Sequence, residues 1–137
     1  MGRLKPQPAD WNQIPRFLDS ADRKLAAAVK ILPIEEEACF EQAYEAMLRA
    51  SLGFMLSHGV RVRSQAGHHR AIIEFVEKHF AGQHAGLIAI FDRMRRRRNL
   101  ALYDTTGFIS RTDAEEALKA AREFLAAVRA EVERRKP

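Results

Sequence analysis

The chain has 137 residues, 47% of them hydrophobic and 30% charged, which is ordinary for a soluble globular protein and excludes a disordered chain. This length suits one domain with its own hydrophobic core, and a formal charge of +5 is compatible with a polyanionic partner without requiring one. The single cysteine excludes an internal disulfide, and neither a signal peptide nor an apolar run of membrane-spanning length is found, so we expect a cytoplasmic protein without a membrane partner.

The chain begins with residues 1–12, which contain two prolines and no apolar period and are therefore predicted to be a flexible arm. From residue 13 to residue 137 the apolar residues recur with helical spacing, which predicts one helical domain. The first helix is predicted over about residues 13–31, with Asn12 as its N-cap and Pro33 beyond its end.

The second helix is predicted over about residues 34–58, with acidic residues in its first turn that suit the positive end of the helix dipole. Its apolar residues cover an unusually wide arc of the helix surface. A helix buried over that much of its circumference is either central in the bundle or shared with a second subunit. Gly59 is predicted to cap its C-terminal end.

Three more helices are predicted in the second half of the chain. The third covers about residues 65–80 and the fourth about residues 84–102, with Gly82 between them. Thr112 and Glu115 have the spacing of a capping box and are predicted to open the last helix. The pattern as a whole predicts an all-α fold, a compact antiparallel bundle of about five helices.

One arginine of the fourth helix lies where the helix should bury a hydrophobic residue. At about 100° per residue, Phe91 and Met94 fall on one face, and Arg98 lies in the middle of that face. An arginine keeps its charge in a protein, so an inward Arg98 needs a carboxylate, a hydrogen-bonding cage or a bound anion. Glu41, at the edge of the second helix's apolar arc, is the predicted partner if the role is structural. A phosphate site is the alternative, because phosphate suits a guanidinium fork.

The neighbouring arginines point in other directions. Arg93 and Arg96 face away from the apolar stripe, and Arg95 and Arg97 lie on its flanks. Such a run is often a solvated face that is stabilised by pairs such as Asp92 with Arg96. The alternative is a nucleic-acid-binding surface in which all four arginines contact phosphates.

Three stretches of the chain are informative together. They are residues 41–50 in the second helix, residues 58–61 followed by 67–69 in the turn to the third helix, and residues 98–104, which begin with Arg98 and Asn99. In order and spacing they resemble HEPN domains, the higher eukaryotes and prokaryotes nucleotide-binding class. The resemblance covers about residues 17–132 and implies an all-helical bundle.

In HEPN ribonucleases the signature is an arginine, often followed by asparagine, and then a histidine shortly afterwards. Two subunits bring both copies into a shared cleft, which cuts RNA without a metal. The resemblance therefore implies Arg98, Asn99 and Tyr103 as candidate catalytic residues, with Tyr103 standing where the histidine would be. A phenol with a pKa of about 10 is a poor base at neutral pH. If the protein is an enzyme, the resemblance implies a metal-independent endoribonuclease, and we expect its catalysis to be weakened.

Small HEPN proteins of this type are similar to the partners of a minimal nucleotidyltransferase in toxin–antitoxin pairs. The resemblance implies a homodimer with a basic cleft for RNA or a nucleotide, acting as a toxin-like or RNA-associated component of a toxin–antitoxin or defence-type system. Two alternatives are a non-catalytic module that binds the nucleotidyltransferase and a basic bundle that binds nucleic acid through charge alone. Tyr103 is either modified by such a transferase or simply packs at a helix end.

The histidines offer no metal-binding pattern. His68 and His69 are adjacent, so their side chains point about 100° apart and cannot share a metal from one helix face. The sequence contains no Cys/His cluster, and neither a metal nor another cofactor is predicted. With Arg61, Arg63 and Arg70, the two histidines either extend a basic surface or form a solvated loop.

Overall fold

The computed structural model describes residues 3–63, 68–103 and 108–137, and for residues 100–103 it describes the backbone alone. The helices are α1 (Ile14–Ile31), α2 (Glu36–Ser57), α3 (His69–Phe80), α4 (Ala85–Tyr103) and α5 (Arg111–Arg135). Two short strands, β1 (Leu4–Pro6) and β2 (Val60–Val62), accompany them. The prediction of an all-α bundle of about five helices is confirmed.

Helix α2 lies at the centre of the bundle and packs against each of the other four helices. Three consecutive residues, Ala46, Met47 and Leu48, are all buried. Because consecutive helical residues point about 100° apart, burial of all three requires neighbours on several sides. The wide apolar arc of this helix therefore reflects a central position within one chain.

The N-terminal segment differs from the predicted flexible arm. Strand β1 pairs antiparallel with β2, with Leu4 opposite Val62. The Gln7 backbone N–H extends this ladder by donating to the Gly59 carbonyl at 2.9 Å, and Leu4 packs against the core. A three-residue strand shows no apolar period of its own, and its partner is distant in sequence, so the local pattern could not reveal it.

Helix α1 begins one residue later than predicted and without the predicted cap. Gln13 is its N-cap residue and its side chain makes no capping hydrogen bond. The Asp10 carboxylate instead accepts hydrogen bonds from the backbone N–H groups of Asn12 and Gln13, at 2.9 and 3.2 Å. Asn12 is therefore a donor in the turn before the helix, and its predicted role as N-cap was wrong.

Helix α5 has a capping box, but at a different pair of residues from the predicted Thr112 and Glu115. The Ser110 hydroxyl accepts from the Asp113 backbone N–H, and the Asp113 carboxylate accepts from the Ser110 backbone N–H, both at 3.0 Å. Ser110 has extended backbone angles, φ −78° and ψ 167°, as an N-cap residue requires. Thr112 lies inside the helix, so it cannot cap it.

The other helix boundaries follow from local backbone geometry. Helix α2 ends at Ser57, and Gly59 just beyond it has a φ of 74°, a left-handed conformation that glycine adopts without strain. Helix α3 begins at His69, and residues 64–67, where its start was predicted, lie outside the described residues. None of the helices described is both long enough and apolar enough to cross a bilayer.

Candidate functional site

Arg98 of α4 reaches back to α2, where it meets Glu41. The Arg98 Nε donates to Glu41 Oε1 at 2.7 Å. The side chains are 22% and 36% exposed, so the pair lies at the edge of the core and solvent partly screens it. Burial alone would lower the pKa of Arg98, but the hydrogen bond to Glu41 and its negative charge outweigh burial and raise that pKa. Arg98 is therefore a permanently charged group whose position Glu41 helps to fix.

The Tyr44 ring supports the guanidinium group of Arg98. The guanidinium carbon lies 5.4 Å from the centre of the ring, within the range of a cation–π interaction. Tyr44 is completely buried, and its ring also packs edge-on against Phe91, with 5.7 Å between the ring centres. Burial raises the pKa of the Tyr44 hydroxyl, although the charge of Arg98 opposes this effect. Tyr44 is thus a neutral phenol that forms part of the floor beneath Arg98.

His69, the first residue of α3, contacts the other end of Tyr44. The Tyr44 Oη lies 2.9 Å from His69 Nδ1. Burial lowers the pKa of His69, the charge of Arg98 lowers it further, and Glu45 opposes both effects. His69 is therefore a neutral imidazole at neutral pH.

The sequence alone does not reveal Tyr44 or His69 as residues of the candidate site. Tyr44 lies within the apolar arc of α2, and the sequence offers His69 only as part of a basic surface or a solvated loop. The helical period of one segment gives the direction of each side chain but not the neighbouring helix that it meets. The packing of α3 and α4 against α2 brings these two residues to Arg98.

The four other arginines of the run divide into two groups. Arg95 is 14% exposed, and its Nε lies 3.0 Å from an oxygen of Asp92. A guanidinium nitrogen of Arg97 lies 3.0 Å from a carboxylate oxygen of Asp113, the capping-box partner of Ser110 in the first turn of α5. Arg93 is exposed, and Arg96 is 61% exposed with only a loose contact of 3.6 Å to Asp92. Arg95 is thus held in a largely buried pair and Arg97 in an exposed pair at the start of α5, whereas Arg93 and Arg96 lie on the outer face of α4.

The outer face of α4 forms a ridge between two surface grooves. The groove between α4 and α5 has a volume of about 370 Å³, and the groove between α3 and α4 has a volume of about 750 Å³. Arg93 and Arg96 line both grooves, so a ligand can reach them from either side. Carboxylates also line the walls: Asp113 and Glu116 in the first groove, Glu74, Glu77 and Asp92 in the second.

The family model for the HEPN domain matches residues 14–131 of the chain. The chain belongs to the HEPN family. A search of curated proteins returns no significant match. The matched region runs from the first residue of α1 into α5, so it contains Glu41, Tyr44, His69 and Arg98.

The remaining predicted site residues of this HEPN domain lie at the end of α4. Asn99 follows Arg98 and is exposed. Tyr103 is the last residue of α4, and its side chain lies outside the described residues. Within the described ranges, no three side chains of His, Cys, Asp or Glu gather into a group that could hold a metal ion.

The charges around Arg98 in this HEPN domain nearly cancel. Arg98 is paired with Glu41, and Arg95 is paired with Asp92. An anion that approaches Arg98 must therefore compete with Glu41 for the guanidinium group. Such a site holds phosphate firmly only if a second donor contributes to binding.

Proposed function

We propose that this HEPN-family protein is a toxin-like or RNA-associated component of a toxin–antitoxin or defence-type system. It acts in the cytoplasm as a homodimer, whose basic cleft binds RNA or a nucleotide around Arg98 and Asn99. The observation that carries this proposal is the position of Arg98. Glu41 and Tyr44 hold its guanidinium group at the protein surface, next to the exposed Asn99, where it remains partly accessible. A fixed, permanently charged guanidinium is well suited to a phosphodiester.

Catalysis in this proposal is a slow, metal-independent cleavage of RNA. Arg98 stabilises the negative charge that develops on the phosphate, Asn99 contributes a hydrogen bond, and Tyr103 replaces the histidine of the family signature. Two features slow the reaction. The phenol of Tyr103 is a poor base at neutral pH, and Glu41 already compensates part of the charge of Arg98.

The second candidate function is a non-catalytic module that binds a minimal nucleotidyltransferase. The internal pairing of the arginines favours it, because Arg95 and Arg98 already have carboxylate partners within the chain. The exposed Arg93 and Arg96 would then contact the transferase rather than RNA. Substitution of Arg93, Arg96 and Arg98 tests both functions, with RNA as the ligand for the first and a minimal nucleotidyltransferase for the second.

The test measures RNA binding and cleavage by the full chain and its R98A variant, with a chelator present. We expect R98A to weaken binding of a short RNA by about tenfold or more, since a charge-assisted hydrogen bond is lost. The matched control is R122A, which removes an exposed arginine of α5 and should leave binding unchanged. In a plot of the logarithm of the binding constant against the logarithm of the salt concentration, R93A and R96A should each reduce the slope by about 1.

The outcomes separate the candidates. If R98A and R122A bind RNA equally well, Arg98 is not part of an RNA-binding site and the proposed function is wrong. If RNA binding is absent but a minimal nucleotidyltransferase forms a stable complex with the chain, and R93A or R96A weakens that complex, the second candidate is correct. Binding that depends on Arg93 and Arg96 but not on Arg98 would indicate attraction through charge alone.

A further inference from the structure

Three helices meet at the side chain of Tyr44. The guanidinium carbon of Arg98 lies 5.4 Å from the centre of the Tyr44 ring, and the His69 ring centre lies 5.7 Å from the same point. The Tyr44 hydroxyl and His69 Nδ1 are 2.9 Å apart. A buried residue of α2 therefore fixes both a charged group of α4 and an imidazole of α3.

The hydrogen bond sets the tautomer of His69. The Tyr44 hydroxyl is buried and keeps its proton, so it needs an acceptor, and His69 Nδ1 is the acceptor found among the described residues. With Nδ1 accepting, the ring proton of neutral His69 is on Nε2. This nitrogen lies on the far side of the ring from the buried hydroxyl. The imidazole is half-buried and borders a surface hollow of about 130 Å³, which Glu45 and Arg49 of α2 also line.

We propose that His69 is a phosphate-binding residue of the same site as Arg98, and that its Nε2–H donates to the phosphodiester of an RNA or nucleotide. This inference rests on the proposed function. Since Glu41 compensates the charge of Arg98, the site needs a further donor besides Asn99, and Tyr44 contacts both Arg98 and His69. His69, at the start of α3, thus provides for phosphate binding the imidazole that the family signature has at the end of α4, where this chain has Tyr103.

The proposal predicts a pH dependence of binding. Arg98 and Arg95 from α4 favour the neutral form of His69, whereas Glu41 and Glu45 from α2 favour the protonated form. A bound phosphodiester adds a negative charge and therefore favours protonation. By linkage, affinity for the phosphodiester rises as the pH falls through the pKa of His69.

The experiment compares the full chain with its H69N variant, using a thymidine dinucleotide as the probe. This probe has one phosphodiester and no 2′-hydroxyl, so it cannot be cleaved, and its charge stays constant from about pH 5 to pH 8, where histidine titrates. Asparagine at position 69 can still hydrogen-bond to Tyr44 but has no atom in the place of Nε2. We expect H69N to bind the probe about tenfold more weakly near pH 5.5 and to lose the pH dependence.

Two controls separate binding from positioning. H79N removes another imidazole of α3, one that hydrogen-bonds to the Phe75 carbonyl, and should leave affinity and pH profile unchanged. Y44F breaks the hydrogen bond to His69 but leaves Nε2 in place, so it should weaken binding and retain a pH dependence. Denaturation curves of every variant establish that each is folded under the conditions of the assay.

The possible results separate the role of His69 from the proposed function. Wild-type affinity and pH profile in H69N would overturn the proposal. If H69N and Y44F weaken binding equally and both keep the wild-type pH profile, His69 merely holds Tyr44 and the proposal is wrong. If R98A abolishes binding and H69N does not, the proposed function stands and the role of His69 fails. If neither substitution matters, both fail.

Discussion

Arg98 and Glu41 join α4 to α2 through one short contact, 2.7 Å from Nε to Oε1, between residues 57 positions apart in the chain. Breaking a fully buried ion pair costs about 3–5 kcal/mol, because the remaining charge is left without a partner. Glu41 is 36% exposed, so water stabilises either charge when its partner is removed. The contribution of this pair to stability is therefore closer to that of a surface ion pair.

We expect a double-mutant cycle of R98A and E41A to give a coupling free energy of about 1 kcal/mol. Urea denaturation of the two single variants and the double variant measures it. The matched control is the pair Arg70–Glu74 on α3, whose side chains are 69% and 62% exposed. Its coupling should be about 0.3 kcal/mol. A coupling above about 3 kcal/mol between Arg98 and Glu41 would show that the pair is buried in solution.

The direction of Arg98 could be predicted from the sequence because it depends on the helical period of α4 alone. Burial of Phe91 and Met94 on the same face shows that this period holds along the helix. The contact between Tyr44 and His69 could not be predicted in the same way. It depends on how α3 packs against α2, and no local pattern encodes the distance between two helices.

The pairing of β1 with β2 predicts that the N-terminal segment contributes to stability. Deleting residues 1–8 removes the ladder and the packing of Leu4, and we expect the free energy of unfolding to fall by about 1–2 kcal/mol. Deleting residues 1–2 keeps β1 in the chain, so this matched control should lose less stability than deletion of residues 1–8. Chemical denaturation measures both changes. Equal stability of the two shortened chains would support the flexible arm that the sequence suggested.

The cap of α5 predicts different losses of stability when the hydroxyl groups of Ser110 and Thr112 are removed. S110A removes the acceptor for the Asp113 backbone N–H and should lower the free energy of unfolding by about 1 kcal/mol. T112A changes a residue inside the helix and should have an effect close to zero. Thermal or urea denaturation distinguishes them. A larger loss in T112A than in S110A would place the cap where the sequence spacing first suggested it.

This cap shows why spacing alone was insufficient. Ser110 with Asp113 and Thr112 with Glu115 have the same separation, so the sequence contains two overlapping capping patterns. The structure selects the first pair because the backbone at Ser110 is extended. Arg97 adds to this choice, since its guanidinium group lies 3.0 Å from the Asp113 carboxylate. A contact from another helix thus helps to set where α5 begins.

His58 and His69 predict how stability changes with pH. Burial lowers the pKa of both; for His58 a hydrogen bond to the Phe54 carbonyl partly opposes this effect, and for His69 the charge of Arg98 reinforces it. Near the ordinary histidine pKa of 6.5 the unfolded chain therefore binds more protons than the folded chain. The free energy of unfolding should fall as the pH drops from about 7 towards 5, within the range where histidine titrates.

Substitution of the two histidines separates their contributions. H69N should reduce the dependence of stability on pH in this range, and H58N combined with H69N should reduce it further. Urea denaturation at a series of pH values measures the slope for each variant. Asp113 does not contribute to the slope in this range. Hydrogen bonding from the Ser110 backbone lowers the pKa of Asp113 below 3.8, so its contribution to stability is lost only at a pH below the range studied. A slope that is unchanged in the double variant would show that these imidazoles are not the groups whose protonation opposes folding.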